Sequence, residues 1–332
     1  MRTHYTAIST ILLCSALGTM PTMTSASDEG PSAGDGVQIE KTADVPYLLD
    51  PDGTTHVLRV YAPTSPGPWP TAVMIHGGGG AYGAAVLDPW ARAVAAEGAV
   101  VFVPYHFGNP TWSTAAAAIA EITDVTGQLA CAVRFARSEA GRYGGDPADV
   151  ALFGHSAGAN LASVIALTDP PVSPDCLADA DSAIPEELVL FEGDWLLLGL
   201  PVYDPLITED PSVMDVLTPW SHTADAPRIP IAILDSDDPS LSVHTQDRID
   251  DALALRDPDG VYRNRLDRAS ALEDERLTET DAQHLLAEEL SNRGYPVYFI
   301  DLPDSNHERL SDTALAMVTD ALVSGSAGPS VE

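Results

Sequence analysis

Lysine occurs once in the 332 residues, at Lys41, and the basic residues together number 16 against 49 acidic ones. A formal net charge of −33 argues against nucleic acid or an anionic membrane surface as a partner, because both would be repelled. The same acidity serves solubility or adaptation to salt. Adaptation predicts an unfolding midpoint that rises in molar salt, where ions screen the self-repulsion; a midpoint indifferent to salt would argue against it. Cysteine is nearly as scarce: Cys14, Cys131 and Cys176, with no paired spacing of the kind that builds a zinc site, so no metal is expected. Internal repeats are absent. Aromatic residues make up only 6%, yet hydrophobic residues reach 45%, ample for the core of one large domain.

The N-terminus has the pattern of a targeting segment. Arg2 opens a short n-region, Ile8 to Met20 is mostly apolar, and small residues follow in "TSAS". The apolar run is too short to span a bilayer comfortably, so we read 1–26 as a signal peptide, with no integral membrane span, and expect a secreted or periplasmic protein. A lipid anchor at Cys14 is not expected, because Leu13 rather than a small residue precedes it. "SDEGPSAGDG" reads as a flexible linker over 27–36, ahead of a folded domain over 37–326. In an exported protein Cys131 and Cys176 could form one disulfide; the alternative is one buried thiol and one loop thiol.

From Val37 the chain alternates between two periodicities. "THVLRVYAP", "PTAVMIHGG", "AVVFVPY", "DVALFGHS", "WLLLGLPVYD", "IPIAILDSDD" and "YPVYFIDLP" read as strands. "DPWARAVAAEG", a long segment from about Thr114 to Ala140, "AGANLASVIAL", "TDAQHLLAEELSNRG" and "ERLSDTALAMVTDALVSG" read as helices. Near-continuous apolar strands alternating with helices predict an α/β domain: a mostly parallel sheet covered on both faces. An antiparallel start over 37–63 is a guess added to this pattern and does not follow from it. Two stretches break the alternation. Residues 168–194 read as a lid insertion and 256–276 as a charged insertion.

"GHSAGAN" runs from Gly154 to Asn160. Between an apolar strand and a helix, Ser156 falls on the sharp turn that exposes a nucleophile, and Ala157 begins the helix with its N–H toward the site. "HGGGG" (His76 to Gly80) also follows an apolar strand, and such a run leaves backbone N–H groups free to face an oxyanion. Gly78, Gly79 and Ala157 are the candidate donors.

In "HGGGG", "GHSAGANLA" and "YGGDPADVALFG" the chain resembles the α/β-hydrolase superfamily. It looks like the hormone-sensitive-lipase-like esterases and the related arylformamidase-like and feruloyl-esterase-like enzymes. The resemblance is strong over roughly 57–167 and weaker beyond. Lipase-like members often carry an acidic residue before the serine, where this chain has His155; that favours the formamidase-like and feruloyl-esterase-like branch. Where the family often has Tyr-Arg after the fourth strand, this chain has Tyr105-His106.

A serine hydroxyl needs a base, and the base an orienting acid, in the chain order Ser, acid, His. His307, on the loop after the last strand, is the candidate base; His284, within a helical segment, is its competitor. "IPIAILDSDDPSL" offers Asp235, Asp237 and Asp238 as the acid, and the resemblance favours Asp238; Asp204 is a more remote choice. Tyr82, His106 and Trp112 fall on loops that would line a pocket or simply pack. These residues predict acyl transfer: a serine carboxylesterase acting on small-molecule esters with short-chain or aryl groups, requiring no cofactor. The rival readings are an arylformamidase, a feruloyl or acetylxylan esterase with the same triad, and a non-catalytic binding protein of the same fold.

Overall fold

The computed structural model describes residues 37–78, 80–106, 112–197, 203–224, 226–236 and 279–324, all within one compact unit, Gly36–Glu332. The stretches read from the sequence as a signal peptide (1–26), a linker (27–36) and a charged insertion (256–276) lie outside the described residues.

The strands are β1 (Ile39–Leu49), β2 (Thr55–Pro63), β3 (Trp69–Ile75), β4 (Val100–Pro104), β5 (Gly145–His155), β6 (Glu187–Phe191), β7 (Ile231–Asp235) and β8 (Val297–Asp301). They form one eight-stranded sheet in the order β1-β2-β4-β3-β5-β6-β7-β8. The β1–β2 and β2–β4 pairs are antiparallel, and every later pair is parallel. Parallel neighbours need crossovers, and among the described residues seven helices flank the sheet: α1 (Gly80–Ala96), α2 (Ala115–Glu139), α3 (Ala157–Thr168), α4 (Tyr203–Glu209), α5 (Val213–Leu217), α6 (Glu279–Asn292) and α7 (Asp312–Val323).

Strand side chains alternate between faces, and the core divides accordingly. Val73, Ile75, Leu152 and Leu188 pack with α2, α3 and α6 on one face. Ala72, Met74, Phe153 and Val189 pack with α1 and α7 on the other. Both faces are covered, which is why these strands read as unbroken apolar runs. Thr114 caps α2, accepting the Ala117 N–H at 3.2 Å. With the turn that follows it, Ala115–Tyr143 is long and apolar enough to cross a membrane, but here Ile122, Leu129, Val133 and Ala136 are buried in the core.

Two readings of the sequence change. Residues 187–191, placed in the lid insertion, are the buried strand β6, held between β5 and β7. The run is only five residues long and begins with an acid, too short for a period to show. "WLLLGLPVYD" reads as a strand, but Trp195 and Leu196 form a turn and α4 begins at Tyr203; of its described apolar residues, Trp195, Leu196, Leu197 and Tyr203 are buried in loop and helix.

The segment between α3 and β6 is tied back to the domain. Cys131 of α2 and Cys176 are joined by a disulfide, with Cα atoms 5.7 Å apart. The link lies beside an isolated bridge from Leu48 to Cys176. Replacing both cysteines by alanine should lower unfolding free energy by about 3 kcal/mol, and reduction of the wild type should match it; urea titration measures both.

Glu187, at the start of β6, is a buried carboxyl whose Oε1 has no partner among the described residues. Burial, then the charges of Asp149 and Asp320, push its pKa from 4.5 to about 7. The folded state therefore holds this proton more tightly than the unfolded chain does. Stability from this group is intact at acid pH and falls as pH rises from about 4.5 to about 7. Glu187→Gln should be about 2 kcal/mol more stable than wild type at pH 8 and indistinguishable near pH 4 by denaturant titration.

Candidate active site

Because β3 and β5 to β8 run parallel, their C-terminal ends open on one edge of the sheet, where ligands of such folds bind. His76-Gly77-Gly78 follow β3, Ser156 follows β5, Glu192 follows β6, Ser236 follows β7, and His307 lies on the loop after β8. Ladder bonds continue past the strand ends. Ser156 N–H donates to the Phe191 carbonyl at 2.8 Å, and Glu192 N–H to the Leu234 carbonyl at 3.3 Å.

Ser156 sits at φ 55°, ψ −128°, between β5 and α3, a conformation that L-residues rarely adopt. The two glycines around it are required by close approach. A Cβ on Gly154 would lie 2.4 Å from the Gly158 carbonyl oxygen, and one on Gly158 would lie 2.3 Å from that of Ile75. Ser156 is half-buried and Ala157 is exposed. As the first residue of α3, Ala157 has an N–H with no intrahelical acceptor.

The loop after β3 is pinned by two imidazoles. His106 Nε2–H donates to the His76 carbonyl at 2.8 Å, and His76 Nδ1–H donates to the Gly77 carbonyl at 3.0 Å. The two rings stack at 3.8 Å. In a trans peptide the N–H points opposite to the C=O, so this pinning turns the Gly77 and Gly78 N–H groups away from the histidines. Burial lowers the pKa of His76 to about 4 and of His106 to about 3, so both rings are neutral near pH 7.

His307 stands on a tight turn in which Asn306 Oδ1 accepts the N–H groups of Glu308 and Arg309, at 3.1 and 2.8 Å. Its carbonyl accepts His155 Nε2–H at 2.7 Å, tying the loop to the residue before Ser156. Its Nδ1 lies 2.5 Å from Glu192 Oε2. Glu192, at φ 49°, is 1% exposed. Its Oε1 accepts the Ser236 N–H at 3.0 Å and the Ser236 hydroxyl as well.

Comparisons agree with this architecture. Residues 58–179 match the family model BD-FAE, an esterase-like family. Esterase 2 of the planctomycete Thermogutta terrifontis, in its native form, superposes with a TM-score of 0.58 at 16% identity, over 90% of this chain and 96% of that one. Its propionate-bound form gives 0.56 at 16% identity (87% and 94%). The form phosphorylated by paraoxon gives 0.56 at 18% identity (84% and 91%). The fold is that of the α/β-hydrolases. No curated protein matches the chain in sequence.

Within that α/β-hydrolase frame the sequence candidates are placed as follows. Ser156, Ala157, Gly78 and His307 are at the C-terminal edge of the sheet. Gly79, Asp237 and Asp238 lie outside the described residues. Asp235 ends β7, and its Oδ2 accepts the Thr280 hydroxyl at 2.7 Å. Asp204 lies in the first turn of α4. His284 is exposed on α6 and stacks on Phe299 at 3.9 Å, which suits a surface role. Trp112 donates to Glu121 at 2.9 Å, and Tyr82 lies on α1 with its side chain outside the described residues.

Sequence reasoning missed three contributors: the carboxylate of Glu192 on His307, the pinning role of His106, and His155 as the anchor of the His307 loop. His155 is buried against Phe191 and Trp90, and burial followed by the charge of His307 lowers its pKa to about 3. It is a neutral brace near pH 7. For Glu192 the available signal was "VLFEGD", an acid followed by glycine at the end of an apolar run.

Proposed function

We propose that the protein is an exported serine carboxylesterase that hydrolyses short-chain or aryl esters through an acyl-enzyme. The observation that carries this reading is the strained turn at Ser156, at the sheet edge where His307 also stands, with His307 bonded through its carbonyl to the residue before the serine. The disulfide between Cys131 and Cys176 supports export, because such links persist in oxidising compartments.

The chemistry follows from the groups present. A carboxylate on Nδ1 puts the imidazole proton there and leaves Nε2 of His307 as a proton acceptor. His307 takes the Ser156 hydroxyl proton as Oγ attacks the ester carbonyl. The negative charge that forms on the carbonyl oxygen is met by N–H donors of the Gly77–Gly78 loop and of Ala157. Collapse expels the alcohol, protonated by His307. Water then attacks the acyl-enzyme by the same route, releasing the acid and free Ser156.

The test is turnover of p-nitrophenyl esters from acetate to dodecanoate, beside an aryl formamide, in low and molar salt. Labelling with diethyl p-nitrophenyl phosphate runs in parallel. We expect short-chain turnover and one diethyl phosphoryl group per chain, on the peptide containing Ser156. Turnover of the formamide alone would make the protein an arylformamidase. No turnover and no label at either salt would leave a binding protein.

A further inference from the structure

We propose that the residue orienting His307 is Glu192, supplied from the end of β6, and that the end of β7 supplies its brace, Ser236. The inference rests on the serine-esterase reading of the same site.

An orienting acid has three physical requirements. It must be met by donors although withdrawn from water, it must present one oxygen to imidazole Nδ1, and it must not swing. Glu192 meets each. Its side chain has no exposed surface, against 26% exposure for the His307 side chain. A buried carboxylate survives only where donors satisfy it, and Glu192 has them on both oxygens. Oε2 faces His307 Nδ1 at 2.5 Å, while Oε1 takes both the N–H and the hydroxyl of Ser236. The two bonds from one residue fix the carboxylate plane and leave Oε2 for the imidazole. The backbone points the same way. Glu192 holds φ 49° while its N–H still bonds to β7 through the Leu234 carbonyl, so the turn that aims this side chain is held in a conformation a non-glycine residue avoids. The chain order Ser156, Glu192, His307 is the order the fold requires.

Among the described residues, His155, from the end of β5, also packs on His307; it is neutral and gives its one N–H to the His307 carbonyl. It braces the loop but offers no charge to the ring. Asp235, beside Ser236 at the end of β7, has its Oδ2 bonded to Thr280. The geometry therefore gives the orienting role to a glutamate one strand earlier than the aspartates after β7. Glu192 acts through His307 without touching the ester, so it is a positioning residue.

The experiment uses the full chain and compares Glu192→Gln, Glu192→Asp, Ser236→Ala and Asp238→Asn. It follows kcat and KM on p-nitrophenyl acetate across pH, with a melting curve for each variant. A glutamine amide in place of the carboxylate donates to Nδ1 and forces the wrong tautomer. Glu192→Gln should therefore lose about 10³- to 10⁴-fold in kcat with little change in KM, and its acid limb should shift. Glu192→Asp should recover part of the loss, Ser236→Ala should lose about tenfold, and Asp238→Asn should stay within about threefold of wild type. Proton NMR supplies a readout that needs no turnover: a downfield imidazole N–H resonance in wild type, absent in His307→Gln and in Glu192→Gln and retained in Asp238→Asn. Glu192→Gln within tenfold of wild type, or the collapse of rate and loss of the resonance in Asp238→Asn, would overturn the proposal. A wild type without turnover or label that keeps a Glu192-dependent resonance would overturn the esterase reading while leaving the pairing intact.

Discussion

Under the proposed mechanism, alanine at Ser156 should lower kcat on a short-chain ester by about 10⁴-fold or more, because the covalent route would be lost and only binding and oxyanion contacts would remain. The loss should appear in kcat rather than KM, since the hydroxyl bonds to the substrate only as the reaction proceeds. The phosphoryl label should vanish with it. Stability should move independently of activity. At φ 55°, ψ −128° alanine keeps the strain of serine, whereas glycine is free of the Cβ clash that causes it. Ser156→Gly should therefore be about 1 kcal/mol more stable than Ser156→Ala by denaturant titration, though equally inactive. If Ser156→Ala keeps more than a hundredth of wild-type kcat, the nucleophile lies elsewhere.

Alanine at Gly77 is expected to lower kcat about 10³-fold while the domain stays folded. Its Cβ would lie 2.4 Å from Ser156 Cβ and 2.7 Å from the His155 carbonyl oxygen, distances that packed atoms do not share. Neither neighbour can swing aside, because one is the strained turn and the other is the end of β5. The loop itself must shift, breaking the bond from His76 to the Gly77 carbonyl that sets the direction of the Gly78 N–H. Nucleophile and oxyanion donors thus lose their relation to each other. Gly141→Ala is the control: a Cβ there meets nothing within 4 Å, and stability and rate should change by no more than about 0.5 kcal/mol. Steady-state kinetics beside a melting curve separates the two effects. A Gly77→Ala protein with wild-type kcat would show that this loop is not near the reacting carbonyl.

What the sequence by itself determined was the local part of the site. A strand period running into Gly-His-Ser-Ala-Gly and then a helical period needs no partner to be read. It placed Ser156 on its turn and Ala157 at the start of α3. The same local logic read β3 with its glycine run and α2 close to its true ends. β6 escaped because five buried residues opening on a glutamate show no period, and the segment looked like an insertion.

Only the tertiary structure decided which groups meet. His307 and Glu192 are 115 positions apart, and no spacing rule links the loop after β8 to the end of β6. In a chain with 49 acidic residues one more carboxylate carries no signal of its own. What singles out Glu192 is complete burial, two bonds from Ser236 just past the end of the neighbouring strand and a backbone turned into the site. His106 acts likewise across the sheet edge on the loop after β3. Strand order sets these contacts, and it emerges when two faces of one sheet bury their apolar residues against helices far apart in the chain.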